Sequence, residues 1–172
     1  MTTDPNTLRL TFTATRVQST LPIPFDETLR RLHALVHRPN RRCLAFLARF
    51  SLRERLRRHL ERAAGDTGLM ILGSVRHDAV IGALGGPRQA RLFLIGNPLT
   101  ALGLLRVHSE AGVYAPLRVM FHGGAPGTTV VTYDAPSSLL DSFNHPLFSA
   151  TGRELDGRLA GLLARLADKR AA

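Results

Sequence analysis

The stretch from Ala90 to Pro136 constrains the fold more than any other part of the chain. It contains ARLFLIGNP, APLRVMF and TTVVTYDAP, three apolar segments of strand length rich in Val, Ile, Phe and Tyr. Between the last two lies His122-Gly123-Gly124-Ala125-Pro126-Gly127, a density of glycine and proline that marks a hairpin loop. A hairpin makes its two strands antiparallel neighbours. A parallel design would need a crossover helix between each pair of strands, and this loop has no room for one.

The flanking sequence supplies the other layers. Residues 8–17, LRLTFTATRV, alternate apolar and polar, which predicts a half-buried strand, followed by a turn over Gln18 to Pro24. Phe25, Leu29, Leu32 and Val36 recur at helical spacing, with Asp26 and Glu27 in the first turn and Pro39 just beyond the end. Residues 41–64 read as two short helices broken at Ser51, where Ser51 to Glu54 fits a capping box, and Gly65 is placed to stop the second. Their apolar stripes are Cys43, Phe46, Leu47 and Phe50, then Leu52, Leu56 and Leu60, both expected to face inward. LMILGSV is a further strand, and helical turns are expected near 79–86 and 99–105. Residues 135–150 look irregular, and Leu155, Leu159, Leu162 and Leu166 form the stripe of a C-terminal helix.

The expected architecture is α+β: an antiparallel (or mixed) sheet of about five strands with helices on one face, in the order β-α-β(4)-α. At 172 residues it is read as a single domain, 1–172, carrying residues 39–65 as an inserted basic helical segment.

The charge is concentrated in that segment. The whole chain carries +10, yet residues 28–62 hold eleven arginines against Glu54 and Glu61, and the remainder is close to neutral. Arg49, Arg53 and Arg57 fall at i, i+4, i+8, with Arg58 and Arg62 beside them, a row able to follow a phosphate backbone. Six phosphate contacts would make log K fall with log salt at a slope of about −5. Against that reading, the segment has no tyrosine or tryptophan to stack bases, and Glu54–Arg58 and Arg57–Glu61 pair as solvated helix faces do. One cysteine excludes an internal disulfide framework and multi-cysteine zinc patterns. The opening residues lack a secretory pattern and no window is apolar enough to span a bilayer, so a cytoplasmic protein without membrane contact is expected.

Candidate chemistry is sparse. His77, Asn97, Tyr133 and Asp134 are the polar residues at strand ends that a small ligand would meet, with Asp78, His122 and His145 in the same class. Asn97 in Gly96-Asn97-Pro98 has a second role, since an Asn before Pro is what a strand-to-helix turn uses as its cap. His33 and His37 stand at i, i+4 but among Arg30, Arg31 and Arg38, which would repel a cation, so no metal or cofactor is expected. Cys43 beside Arg41 and Arg42 is either a packed small residue or a thiol with lowered pKa, able to react or to ligate haem.

RLFLIGNP, APLRVMF and TVVTYDAP, followed by an amphipathic helix and preceded by the helix start at Phe25 to Thr28, resemble the bacterial family catalogued as domain of unknown function 302. The resemblance spans about residues 8–38 and 66–167, and residues 39–65 depart from it. It implies a fold similar to the TATA-binding-protein-like arrangement and the plausibility of dimers, and it carries no catalytic residue. With no catalytic set assembled, the expected function is that of a non-enzymatic module binding a small ligand or a protein partner as a homodimer. The alternative is an accessory nucleic-acid or polyanion binder acting through Arg49, Arg53, Arg57, Arg58 and Arg62.

Overall fold

The computed structural model describes residues 7–50, 52–86 and 89–168. Five strands form one sheet: β1 (Arg16–Leu21), β2 (Met70–Arg76), β3 (Ala90–Gly96), β4 (Leu117–Gly123) and β5 (Thr129–Asp134). Their order across the sheet is β1-β5-β4-β3-β2, and every neighbouring pair is antiparallel. The 123–127 loop joins β4 to β5 as the hairpin its composition predicts.

Strict alternation assigns the two faces. Thr129, Val131 and Tyr133 of β5, Val119 and Phe121 of β4, and Phe93 and Ile95 of β3 are buried. They pack under α1 (Phe25–Leu35) and α7 (Pro146–Ala167), which contribute Phe25, Leu29, Leu32, Phe148, Leu155, Leu159, Leu162 and Leu166 to the same core. All four leucines of the predicted C-terminal stripe are inside. A buried hydroxyl relay fixes α1 to β5: Thr28 Oγ1 lies 2.9 Å from Thr129 Oγ1, which donates to the Ile23 carbonyl at 2.9 Å. Burying these polar groups is tolerable because each finds a partner there.

Two stretches differ from the sequence expectation. The first strand is Arg16–Leu21, not 8–17, and residues 7–15 have no regular structure, with Leu8 and Leu10 exposed. Arg16 pairs with Asp134, so pairing residues 8–15 would require a strand over 135–142. Pro136 instead starts α6 (Pro136–Leu140), and the ladder ends with Ala135 N–H donating to the Thr15 carbonyl at 2.8 Å. The alternation at 8–14 is therefore real but has no partner. The second difference is 135–150, expected to be irregular: it holds α6, a 3-10 turn over Asp141–Phe143, and the first turns of α7, which His145 caps by accepting from Leu147 N–H.

The basic segment forms α2 (Arg41–Arg49) and α3 (Arg53–Ala64), ended at Gly65 by a positive φ of 51°. The break is where the sequence puts it. The capping box at Ser51 lies outside the described residues; the position before α3 is Leu52, with no side-chain cap. α2 and α3 build a second, smaller core, in which Leu60, Ala64 and Met70 are buried against Leu44, Leu56, Leu72 and Leu99. Among the described residues no helix is long and apolar enough to cross a membrane.

Candidate functional site

At the Gly96 end of β3 the chain turns through Asn97 into α5 (Pro98–Leu105), and a 3-10 helix over Ser109–Tyr114 returns it to β4. Asn97 makes this corner. Its Oδ1 accepts from Leu99 N–H at 2.9 Å, capping α5, and its Nδ2 donates to the Gly68 carbonyl at 3.1 Å. The same carbonyl receives Arg158 Nη1 of α7 at 3.0 Å. Pro98 supplies the pre-set first helical position.

Between α5, the 3-10 helix and the sheet end lies a partly open cleft of about 200 Å³. Leu72 and Leu117 line it from the sheet, Ala101, Leu104 and Leu105 from α5, Ala111 and Tyr114 from the 3-10 helix, and Leu140 and Leu155 from α6 and α7. Among the described residues Asn97, Thr100 and Tyr114 are its polar side chains, and no charged residue lines it. Leu105 is 38% exposed at this cleft. The Tyr114 ring stands edge-on to Phe143 and to Phe12 from the unpaired N-terminal stretch, at centroid separations of 6.0 and 6.3 Å. Such a surface attracts apolar matter.

The predicted ligand residues do not converge. Asn97 borders the cleft with its amide engaged in the corner. Tyr133 and Asp134 point to opposite faces of β5, as consecutive strand residues must. Tyr133 is buried in the core, and burial together with the charge of Asp156 raises its pKa. Asp134 accepts from Arg16 Nε at 2.8 Å and borders a separate small recess with Arg118. His77 opens α4 (His77–Ala83), where its neighbour Asp78 is the engaged group. Asp78 is held by Arg91 at 2.9 Å and Arg76 at 3.5 Å. Burial alone would raise its pKa, but the Arg91 hydrogen bond and charge, seconded by Arg76, hold it below the usual carboxylate value. His122 Nδ1 lies 3.1 Å from the Gly123 carbonyl. Among the described residues no three His, Cys, Asp or Glu side chains gather as a metal site.

On the basic helices, Arg49 and Arg53 are exposed and Arg57 is bonded to Glu61 at 2.9 Å. Arg58 and Arg62 turn their Nε atoms to the Glu54 and Arg58 carbonyls and line a recess with Arg55, Cys43 and His59. The inward stripe expected for α2 is not the one used. Phe46 and Phe50 are 57% and 58% exposed and lie against each other at 4.9 Å, while Leu44 packs inward and Cys43 is half-buried. Leu44 meets the Leu60 core, and with it inside, Phe46 and Phe50 face outward. The sequence reading also misses Tyr114, Ala111 and Leu105, because the cleft exists only once the 109–114 turn folds back over α5.

The crystal structure of an uncharacterized conserved DUF302 protein from Bacillus stearothermophilus superposes with a TM-score of 0.60 at 17% identity, covering 88% of this chain and 97% of that one. At that identity the likeness concerns the fold. No curated protein matches the chain. The family model for the domain of unknown function DUF302 matches residues 49–166. That match starts inside the basic segment, so α3 lies within the region matched to the family. More than half of the chain is covered, and the protein therefore belongs to the DUF302 family.

Proposed function

We propose that this protein is a non-enzymatic binding module that takes a small apolar or aromatic molecule in the cleft between α5, the 109–114 turn and the sheet end. The observation that carries this reading is the lining: about 200 Å³ bounded by aliphatic side chains, one tyrosine and no charge. An apolar protein cavity of about 150 Å³ is enough for a benzene-sized guest. Thr100 and Tyr114 offer one polar end, so the guest is expected to carry at most one hydroxyl or carbonyl group. Titration with indole, benzene and short alkanols, followed through the methyl NMR signals of Leu104, Leu105 and Leu155, tests it. Saturable shifts confined to these methyls and lost in Ala101→Phe support the reading; shifts that are absent or scattered over the whole molecule reject it.

A second copy is proposed as the protein partner, on the sheet face turned away from the core. Val75, Leu92 and Met120 lie in one cross-strand row there, with Leu94 and Val130 beside them. Light scattering after size-exclusion chromatography decides between monomer and dimer, and a monomer at all accessible concentrations removes this part.

The exposed pair Phe46 and Phe50 favours a second reading, binding of single-stranded nucleic acid. Arg42 and Arg49 share that helix face at i, i+4, i+7, i+8 spacing, so stacking rings and phosphate-binding guanidinium groups come together. Anisotropy of a labelled oligonucleotide at low salt is the check. Absence of binding by the parent, or undiminished binding by Phe46→Ala/Phe50→Ala, ends it.

A further inference from the structure

The recess between α2 and α3 is a different kind of place from the apolar cleft. Its volume is about 350 Å³, and Cys43, Arg55, Arg58, His59 and Arg62 line it. Cys43 is the only cysteine of the chain. Its Sγ lies 3.8 Å from His59 Nδ1. The other ring nitrogen of His59, Nε2, is buried without a hydrogen-bond partner among the described residues, where the thiol is the polar group that the ring addresses. Among the described residues none of Arg55, Arg58 and Arg62 forms a salt bridge and no carboxylate lines the recess. A structural arginine cluster on a solvated helix normally pairs with acidic neighbours, as Arg57 does with Glu61. Here three guanidinium groups with no carboxylate partner among the described residues line one recess with a thiol and its neighbouring imidazole.

We propose that this recess is a thiol-exchange site for anionic low-molecular-weight disulfides, with Cys43 as the nucleophile. The proton on Sγ passes to His59 Nδ1. The sulfur electron pair then forms a bond to one sulfur of the incoming disulfide, whose own S–S bond breaks. The second sulfur leaves with the electron pair of the broken S–S bond and takes a proton from the imidazolium. Cys43 is oxidised to a mixed disulfide, and the departing half of the reagent is reduced to a thiol. The arginines draw the carboxylates of the reagent into the recess. The site needs neither the apolar cleft nor its guest.

The test compares an anionic probe, dithiobis(nitrobenzoate), with a cationic one, cystamine, on the intact chain, with mixed-disulfide formation followed by timed quenching and mass spectrometry. With one cysteine per chain, every adduct reports Cys43. The urea-unfolded chain supplies the intrinsic rate ratio of the two probes. The folded protein is expected to favour the anionic probe by at least about tenfold over that ratio at low salt. Added salt should shrink the preference without any substitution. Arg55→Gln/Arg58→Gln/Arg62→Gln should bring it near the unfolded value, and His59→Gln should slow both probes and change the pH profile of the rate. A folded-state ratio equal to the unfolded one, a preference insensitive to salt, or a Cys43 that reacts with neither probe overturns the proposal.

Discussion

Gly152 offers the sharpest test of how the helices that close the cleft are held. A Cβ at this position of α7 would sit 2.6 Å from Ser137 Cα, 3.1 Å from Ser137 N and 3.2 Å from the Pro136 carbonyl. Carbon atoms in contact prefer about 3.5–4.0 Å, so α6 and α7 must separate by about 1 Å to admit a methyl group. The obstacle is backbone and cannot rotate away. Overpacking of this kind costs about 1–3 kcal/mol. Gly157 and Gly161 lie in the same helix, and a Cβ at either would have nothing within 4 Å, so Ala there meets no obstacle. In a helix interior Gly→Ala gains about 0.8–1.0 kcal/mol of propensity. All three substitutions share that gain, so the difference in stability between Gly152→Ala and Gly157→Ala isolates the contact with α6. It should be about 1–3 kcal/mol, or a separation of about 2–12 °C between the two melting temperatures at the 2–4 °C per kcal/mol typical of this chain length. Circular dichroism melts together with urea titration read it. Because α6 carries Leu140 and α7 carries Leu155 into the cleft, Gly152→Ala should also weaken indole binding while Gly157→Ala leaves it intact. Equal stability of the two variants would refute the close approach of α6 and α7.

Four further outcomes are expected. Asn97→Ala removes the α5 cap and the bond to the Gly68 carbonyl, and should cost about 1–2 kcal/mol in urea unfolding. Thr129→Val leaves the buried Ile23 carbonyl without its donor and should cost about 1–3 kcal/mol, whereas an unchanged midpoint would remove the relay from the account. Asp78 has a folded-state pKa below its ordinary 3.8, so its contribution is present above that value and is lost as pH falls through the folded one. Asp78→Asn should therefore flatten the acid limb of the stability–pH curve. Tyr133 is shifted the other way, above 10.0, by burial and by Asp156. The neutral phenol is the stable folded form, so stability should persist at neutral pH and fall as pH rises through that raised value, a loss Tyr133→Phe should abolish.

The sheet is legible in the sequence because alternation and glycine punctuation are local signals. Phe93 and Ile95, Val119 and Phe121, Val131 and Tyr133 each declare their face without help from distant residues. The first strand is not, because alternation says that a segment can be a strand but not which partner is long enough to receive it. Six residues of β5 before Pro136 admit six residues of β1, and the pairing slides to 16–21. The cleft is less legible still. Its floor comes from predicted strands and helices, but Ala111, Tyr114 and Leu140 arrive from stretches whose sequence carries no period.

The rotation of α2 away from its expected face changes what this segment exposes. A stripe of Cys43, Phe46, Leu47 and Phe50 looks like a buried face because large apolar residues dominate any periodicity argument. The smaller core that α2 joins has room for Leu44 beside Leu60 and Met70, and this choice rotates the helix. Two things follow from that one rotation. Phe46 and Phe50 come to the surface next to arginines, which supplies stacking groups that an inward-facing stripe would hide. Cys43 comes to the boundary between α2 and α3, beside His59 and on the recess that Arg55, Arg58 and Arg62 also line. Leu44→Ala would loosen the anchor that sets the rotation, so it should change Cys43 reactivity and the exposure of the phenylalanine pair together. If thiol reactivity and Phe46–Phe50 contact respond independently, the two surfaces do not share this origin.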